Sequence, residues 1–167
     1  MMSMKICIIY HSETGNTRHV AQHLSAACGE PRLIEVHDLA TYSHLTRFLT
    51  RCKKARGEET TAIEPSSIDV SGFDLIVLGS PIWAFKPTPA IHAALDALKG
   101  CDGKPVVGFF THGGMPGTSE ATFTSWCKGR GMQVRGTMGI HMKDIENEKK
   151  TKELVAIVTA ACARKDA

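Results

Sequence analysis

The sequence predicts an α/β fold in which helices cover both faces of a parallel sheet, and two observations lead to this. Short, continuously apolar segments, of which residues 6–10 are the first, have the character of strands buried on both faces. Segments with apolar residues at helical spacing lie between them. Alternation of the two kinds is typical of βαβ units. A length of 167 residues suits one such domain.

Five strands and five helices are predicted along the chain. The strands span residues 6–10, 33–36, 75–78, 106–110 and 133–140. The apolar faces of the helices, in chain order, contain Val20, Leu24, Ala27 and Cys28; Leu45, Phe48, Leu49 and Cys52; Ile91, Ala94, Leu95 and Leu98; Phe123, Trp126 and Cys127; and Leu154, Ile157, Val158 and Ala161. Residues 57–72 are polar and interrupted by glycine and proline, which predicts a connection outside the core.

Composition and charge exclude several classes of protein. The chain is 43% hydrophobic and 22% charged, as in an ordinary globular domain. A net charge of +3, spread along the sequence, gives no reason to expect nucleic-acid binding. No apolar run approaches the roughly 20 residues of a membrane span, and the N-terminal residues lack a signal-peptide pattern. We therefore expect a cytoplasmic protein with no membrane partner.

The six cysteines lie far apart, with no spacing typical of metal ligands. We expect no metal site and reduced thiols that pack as small hydrophobic residues. A single redox-active thiol is the alternative.

The loop after the first strand has the strongest functional pattern. It places Ser12, Thr14, Gly15, Asn16 and Thr17 at the start of a helix. The first N–H groups of a helix are unpaired, and the helix dipole adds positive charge, so a phosphate is favoured there. The lysine of an ATP-binding loop and the glycines of a dinucleotide-binding loop are both missing. The pattern therefore indicates a single terminal phosphate.

These residues resemble the flavodoxin family, whose phosphate loop follows the pattern [ST]-x-T-G-x-T. Ser12, Thr14, Gly15 and Thr17 match it, and Asn16 occupies its open position. The segments 78–84 and 111–114 extend the resemblance to the third and fourth strands. The resemblance implies a three-layer α/β/α sandwich, a five-stranded sheet of order 2-1-3-4-5, and FMN as the cofactor.

The resemblance also implies that the loops after the third and fourth strands hold the flavin ring. The residues concerned are Ser80, Pro81, Ile82, Trp83, Ala84 and Phe85, followed by Thr111, His112, Gly113 and Gly114. Trp83 can stack on the ring and Phe85 can extend that wall, with core packing or an apolar surface patch as the alternative for both. His112 stands where the family often has a second aromatic residue. It either caps the loop or titrates beside the flavin.

The sequence leaves three functions open. We predict an FMN-binding electron carrier that exchanges electrons with redox proteins, either ferredoxin-like donors or a flavin reductase, as a monomer or weak homodimer. An NAD(P)H-dependent FMN or quinone reductase on the same fold is the alternative, and a cofactor-free binding module is the third. The basic residues Arg47, Arg51, Lys53, Lys54 and Arg56 either complement a helix dipole or form a docking face for an acidic partner.

Overall fold

Residues 3–39 and 61–163 are the part of the chain that the computed structural model describes. Within it, parallel strands build one sheet. They are β1 (Ile6–Tyr10), β2 (Arg32–Glu35), β3 (Leu75–Trp83), β4 (Pro105–His112) and β5 (Gln133–His141). Neighbouring strands follow the order β2-β1-β3-β4-β5. The parallel sheet and its order 2-1-3-4-5 are therefore confirmed.

Helices cover the sheet on both faces. They are α1 (Asn16–Ala27), α2 (Pro89–Ala97), α3 (Ser119–Gly129) and α4 (Glu148–Ala163), with one 3-10 turn at Met142–Asp144. Residues of α1 and α4 pack on one face, and residues of α2 and α3 on the other. The predicted helix containing Leu45, Phe48, Leu49 and Cys52, and the basic residues at 47–56, lie outside the described residues.

Two hydrophobic clusters form the core, one on each face of the sheet. Phe109 of β4 is fully buried on the α1 and α4 side, and its ring lies directly against the backbone of Gly79 in β3. Phe123 of α3 covers Gly108 of β4 in the same way on the other face. Each aromatic ring thus occupies the space that a side chain on the neighbouring glycine would need.

Strand β3 is longer than the sequence pattern predicted. It runs through Gly79, Ser80 and Pro81 to Trp83 and then turns back, so that Lys86–Pro87 pair with its last two residues. The predicted end at Leu78 was based on the glycine and proline that follow. Gly79 and Pro81 are both accommodated within β3 because β4 pairs with this strand as far as Pro81.

Two further details differ from the predictions. Within the predicted connection at 57–72, residues 61–72 contribute to the core: Ile63, Ile68 and Val70 are buried, and two short strands, Ile63–Glu64 and Ile68–Asp69, pair with neighbouring segments. Ala27, which was predicted on the buried face of α1, is exposed because it is the last residue of that helix.

The described ranges contain no helix that is both long and apolar enough to cross a bilayer.

Candidate functional site

Three loops meet at one edge of the sheet. Because β1, β3 and β4 are neighbours and run parallel, the segments that follow them lie side by side at their carboxyl ends. In the sheet, β2 lies on one side of β1 and β3 lies on the other, so the strand order reverses at β1 and β3. Ligands bind at this point in such sheets. The structure thus brings the three sequence-predicted segments into one region.

The loop after β1 leads into the first turn of α1, where backbone N–H groups lack partners within the helix. Gly15 has a φ of 97°, a left-handed conformation that favours glycine. The Ser12 hydroxyl accepts hydrogen bonds from the N–H groups of Gly15 and Arg18, both at 3.2 Å. Within the described ranges, the N–H groups of Thr14, Asn16 and Thr17 have no hydrogen-bond partner. The loop therefore offers three donors to an anion.

A buried hydrogen bond joins this loop to β4. The hydroxyls of Thr17 and Thr111 are 2.8 Å apart, and both residues are almost completely buried. Two hydroxyls carry two protons, and the bond between them uses one. The second remains for another acceptor. The two residues thus tie the first turn of α1 to the end of β4.

Ser80 is a structural residue in this arrangement. It is 0% exposed, and its hydroxyl contacts the Pro81 carbonyl at 2.8 Å and accepts from the Thr88 N–H at 3.0 Å. These bonds fasten the end of β3 to the start of α2. Of the neighbouring predicted residues, Pro81 is half-buried beside Thr111, and Ile82 is half-buried against the α2 and α3 core.

The hairpin at the end of β3 presents two aromatic side chains. Trp83 is half-buried, and its ring meets the His11 ring edge-on with centroids 5.9 Å apart. Phe85 is 39% exposed. The two turn residues, Ala84 and Phe85, have φ values of 47° and 71°. Glycine and asparagine usually fill such turns, so each side chain here adds local strain.

The loop after β4 packs against this hairpin. The Phe85 carbonyl accepts a hydrogen bond of 3.1 Å from the Thr118 N–H. Gly117 has a φ of 59° and lies so close to Phe85 that a Cβ on it would be 2.9 Å from the Phe85 Cα and would overlap its Cβ. The hairpin and the loop 113–118 therefore form one packed unit.

His112 has a partner that the sequence did not predict. Its ring meets the ring of His141, at the end of β5, edge-on with centroids 5.5 Å apart. The Nδ1 atom of His112 accepts from the Gly114 N–H at 3.2 Å. Burial, and then the nearby His141, lower the pKa of His112 below its usual 6.5. Gly113 and Gly114 are exposed.

Sequence reasoning also missed a charged cluster that begins directly after the loop that follows β1. The Arg18 guanidinium forms two hydrogen bonds with the Glu35 carboxylate, which also accepts from the Tyr10 hydroxyl at 3.1 Å. Arg18 directly follows Thr17, so its charge was visible in the sequence. Its pairing with Glu35 depends on β1 and β2 being neighbours.

Comparison with known proteins identifies the family. Residues 4–137 match the family of NADPH-dependent FMN reductases. The chain belongs to this family. No curated protein matches it.

Solved structures of flavoproteins, including a flavodoxin, share the fold. A flavoprotein from Lactobacillus acidophilus NCFM in complex with FMN is 25% identical, with a TM-score of 0.69 over 89% of this chain and 99% of that chain. A putative flavoprotein from Bacteroides uniformis ATCC 8492 has 17% identity, a TM-score of 0.72 and the same coverage. The two-electron reduced flavodoxin of Megasphaera elsdenii has 22% identity and a TM-score of 0.61, with coverage of 95% and 99%.

This member of the FMN reductase family is an FMN-binding flavoprotein with a flavodoxin-like fold. The residues present fit that cofactor. The three unpaired N–H groups of the loop after β1 are donors suited to a phosphate, and apolar and aromatic side chains lie on the hairpin after β3.

Five of the cysteines of this FMN reductase-family chain lie in the described ranges. Cys7, Cys28, Cys101, Cys127 and Cys162 are free. Burial raises the pKa of Cys7 to about 11 and that of Cys127 to about 12, which suppresses the thiolate. In the described ranges no three His, Cys, Asp or Glu side chains are placed to share a metal ion.

Proposed function

We propose that the protein is an NAD(P)H-dependent, FMN-containing reductase. The observation that carries the proposal is the match of residues 4–137 to NADPH-dependent FMN reductases. It favours the reductase over the electron carrier that the flavodoxin-like motifs alone suggested. The family match and the FMN complex of the Lactobacillus flavoprotein support a bound flavin as the group that accepts and passes on the electrons.

The FMN phosphate is assigned to the loop after β1. Thr14, Asn16 and Thr17 would donate their backbone N–H groups, while Gly15 keeps the loop in its left-handed shape. Ser12 accepts from the N–H groups of Gly15 and Arg18 and so stiffens the loop. The spare proton of the Thr17 and Thr111 pair would reach the same end of the cofactor.

The flavin ring is assigned to the surface formed by the hairpin and the loop after β4. Trp83 and Phe85 would pack against the ring, with Pro81, Ile82 and Ala84 holding them in place. Gly113 would bring its N–H group to the polar edge of the ring, and Gly114, whose N–H donates to His112, would allow the chain to turn there. Ser80 would act only by fixing the hairpin, because its side chain has no exposed surface.

Exposed apolar side chains follow the carboxyl ends of β3, β4 and β5, which suits the binding of a second flat substrate at this edge of the sheet. They are Phe85, Met115 and Met142. Phe85, Met115 and Met142 are 39%, 70% and 51% exposed. A nicotinamide or a quinone ring can bury such surface when it binds.

Addition of NADPH to the FMN-loaded protein tests the proposal directly. Under anaerobic conditions we expect the yellow colour to bleach rapidly, with stoichiometric oxidation of NADPH, and to return when a quinone or free FMN is added. Free FMN at the same concentration without protein is the control. A bound flavin that stays oxidised until a separate reductase is supplied would identify a carrier instead, and a protein that binds no FMN would identify a binding module.

We further expect His112 to make the flavin potential depend on pH. Protonated His112 would stabilise the negative charge that reduction adds, so it raises the midpoint potential at low pH. Because its pKa lies below 6.5, the effect disappears as the pH rises through that lowered value. In His112→Gln the midpoint potential should lose this part of its pH dependence, measured by redox titration from pH 5 to 8.

His23→Gln is the matched control, because His23 is an exposed residue of α1. The midpoint potential of the His23→Gln variant should depend on pH as that of the unmodified protein does. An unchanged pH dependence in His112→Gln would show that the histidine only caps its loop.

A further inference from the structure

His11 is a buried histidine directly after β1, and two neighbouring segments hold it in place. The residue is 4% exposed, and its backbone N–H donates to the Gly79 carbonyl of β3 at 3.0 Å. Its Nδ1 atom lies 2.9 Å from the carbonyl of Val36, the residue that follows β2. A carbonyl can only accept, so Nδ1 carries the proton in this bond. The His11 ring is therefore fixed at both its backbone and its side chain.

The other sides of the His11 ring face the two ends of the proposed cofactor site. On the side of the loop after β1, its Nε2 atom is 4.0 Å from Glu13 Oε2. On the side of the hairpin, its ring meets the Trp83 ring with centroids 5.9 Å apart and planes at 84°. His11 thus lies between the segment assigned to the FMN phosphate and the segment assigned to the flavin ring.

Trp83 needs such a fixed neighbour if it is to bind a flat ring. It is the half-buried last residue of β3 and directly precedes Ala84 and Phe85, the strained turn residues. An indole side chain has several staggered orientations, and only those that present its face or edge correctly can pack on a flavin. A fixed ring beside it restricts these orientations before the ligand arrives, which lowers the entropy lost on binding.

We propose that His11 is a positioning residue that holds the Trp83 side chain in the orientation in which it packs against the flavin ring. The residue acts through Trp83. The inference rests on the flavin contact proposed for Trp83, and its readouts are the environment of Trp83 in the apoprotein and the affinity for FMN. It can therefore fail while the reductase activity stands.

The first test measures Trp83 without any cofactor. The chain has two tryptophans, so Trp126→Phe leaves Trp83 as the only source of indole fluorescence. In this background His11→Asn keeps an N–H donor for the Val36 carbonyl but lacks the ring. The Trp83 fluorescence should become more accessible to quenching by acrylamide and should lose anisotropy. His11→Phe, which keeps a ring beside Trp83, should lie closer to the unmodified residue in both measurements.

His92→Asn is the matched control, because His92 contacts the other tryptophan. The rings of His92 in α2 and Trp126 in α3 are stacked, with centroids 4.0 Å apart. The same substitution at this second pair should leave the accessibility of Trp83 and the affinity for FMN unchanged.

The second test is a double-mutant cycle on FMN binding, measured by quenching of flavin fluorescence. His11→Asn should weaken FMN binding about fivefold and Trp83→Leu about tenfold, since ring contacts of this kind contribute on that order. In the double variant the loss should equal that of Trp83→Leu alone, because His11 has no effect once the indole is gone. Circular dichroism reports the folding of each variant, and His11→Leu replaces His11→Asn if the buried amide prevents folding.

Unchanged accessibility of Trp83 in His11→Asn would overturn the proposal. Losses of FMN affinity that multiply to about fiftyfold in the double variant would overturn it too, because His11 would then act on the loop after β1 rather than through Trp83. His11→Phe behaving like His11→Asn would trace the effect to the bond with the Val36 carbonyl and overturn the role of the ring. Unchanged FMN affinity in Trp83→Leu would instead refute the flavin contact of Trp83, and with it the part of His11 in binding, whatever the apoprotein shows.

Discussion

Replacing Gly79 with alanine is expected to lower the free energy of unfolding by about 3 kcal/mol, at the upper end of the range for overpacked cores. The added methyl group would overlap the ring of Phe109, which is fully buried in the centre of the sheet. Neither partner can move freely, because Gly79 is paired on both sides, with Tyr10 of β1 and Phe109 of β4. Chemical denaturation followed by circular dichroism measures the change.

Gly72→Ala is the matched control for this variant. Gly72 has an ordinary φ, and a Cβ on it would meet nothing within 4 Å. Its free energy of unfolding should change by less than about 0.5 kcal/mol. If Gly79→Ala were as stable as Gly72→Ala, the packing of Phe109 on β3 described above would be wrong.

Gly117→Ala is expected to weaken FMN binding about thirtyfold, or about 2 kcal/mol. Alanine at a φ of 59° is strained, and its Cβ would overlap Phe85 and press on the backbone of the hairpin. The loop 113–118 must then separate from the hairpin and lose the hydrogen bond from Thr118 to Phe85. Titration of the apoprotein with FMN, followed by quenching of flavin fluorescence, measures the loss.

Gly103→Ala separates the effect of backbone strain from the effect of the overlap with Phe85. Gly103 has a similar φ of 74°, but a Cβ on it would meet nothing within 4 Å, and it lies at the opposite end of β4. This variant should be slightly less stable while binding FMN with unchanged affinity. Equal losses of affinity in the two variants would show that backbone strain alone matters and that the packing of Gly117 on Phe85 does not.

Local sequence was sufficient to predict most of the fold. The buried strands of a parallel sheet are continuous apolar runs, and β1 and the start of β3 were predicted at the residues where they occur. The extension of β3 to Trp83 was not predicted, because glycine and proline usually end strands. Here pairing with β4 overrides that local preference. Ile63 and Ile68 were missed because each lies in a strand of only two residues.

The site was predictable where its residues are consecutive. The loop from Ser12 to Thr17 could be identified from the sequence because a helix start after a buried strand is a local feature. The contacts of Thr17 with Thr111 and of His112 with His141 could not, because they join residues from elements far apart in the sequence. Hydrophobic periodicity identifies strands but does not say which side chains meet at their ends. Strand order was needed for that, and it came only from the resemblance.

The two-residue turn at Ala84 and Phe85 has a consequence for how this protein could be made more heat-resistant. An Asn-Gly pair would adopt the same turn without strain, so a design aimed at stability alone would select it. The replacement would also remove the Phe85 side chain that packs on Gly117 and faces the proposed flavin surface. Thermal stability and the proposed cofactor contact therefore favour different residues at this turn.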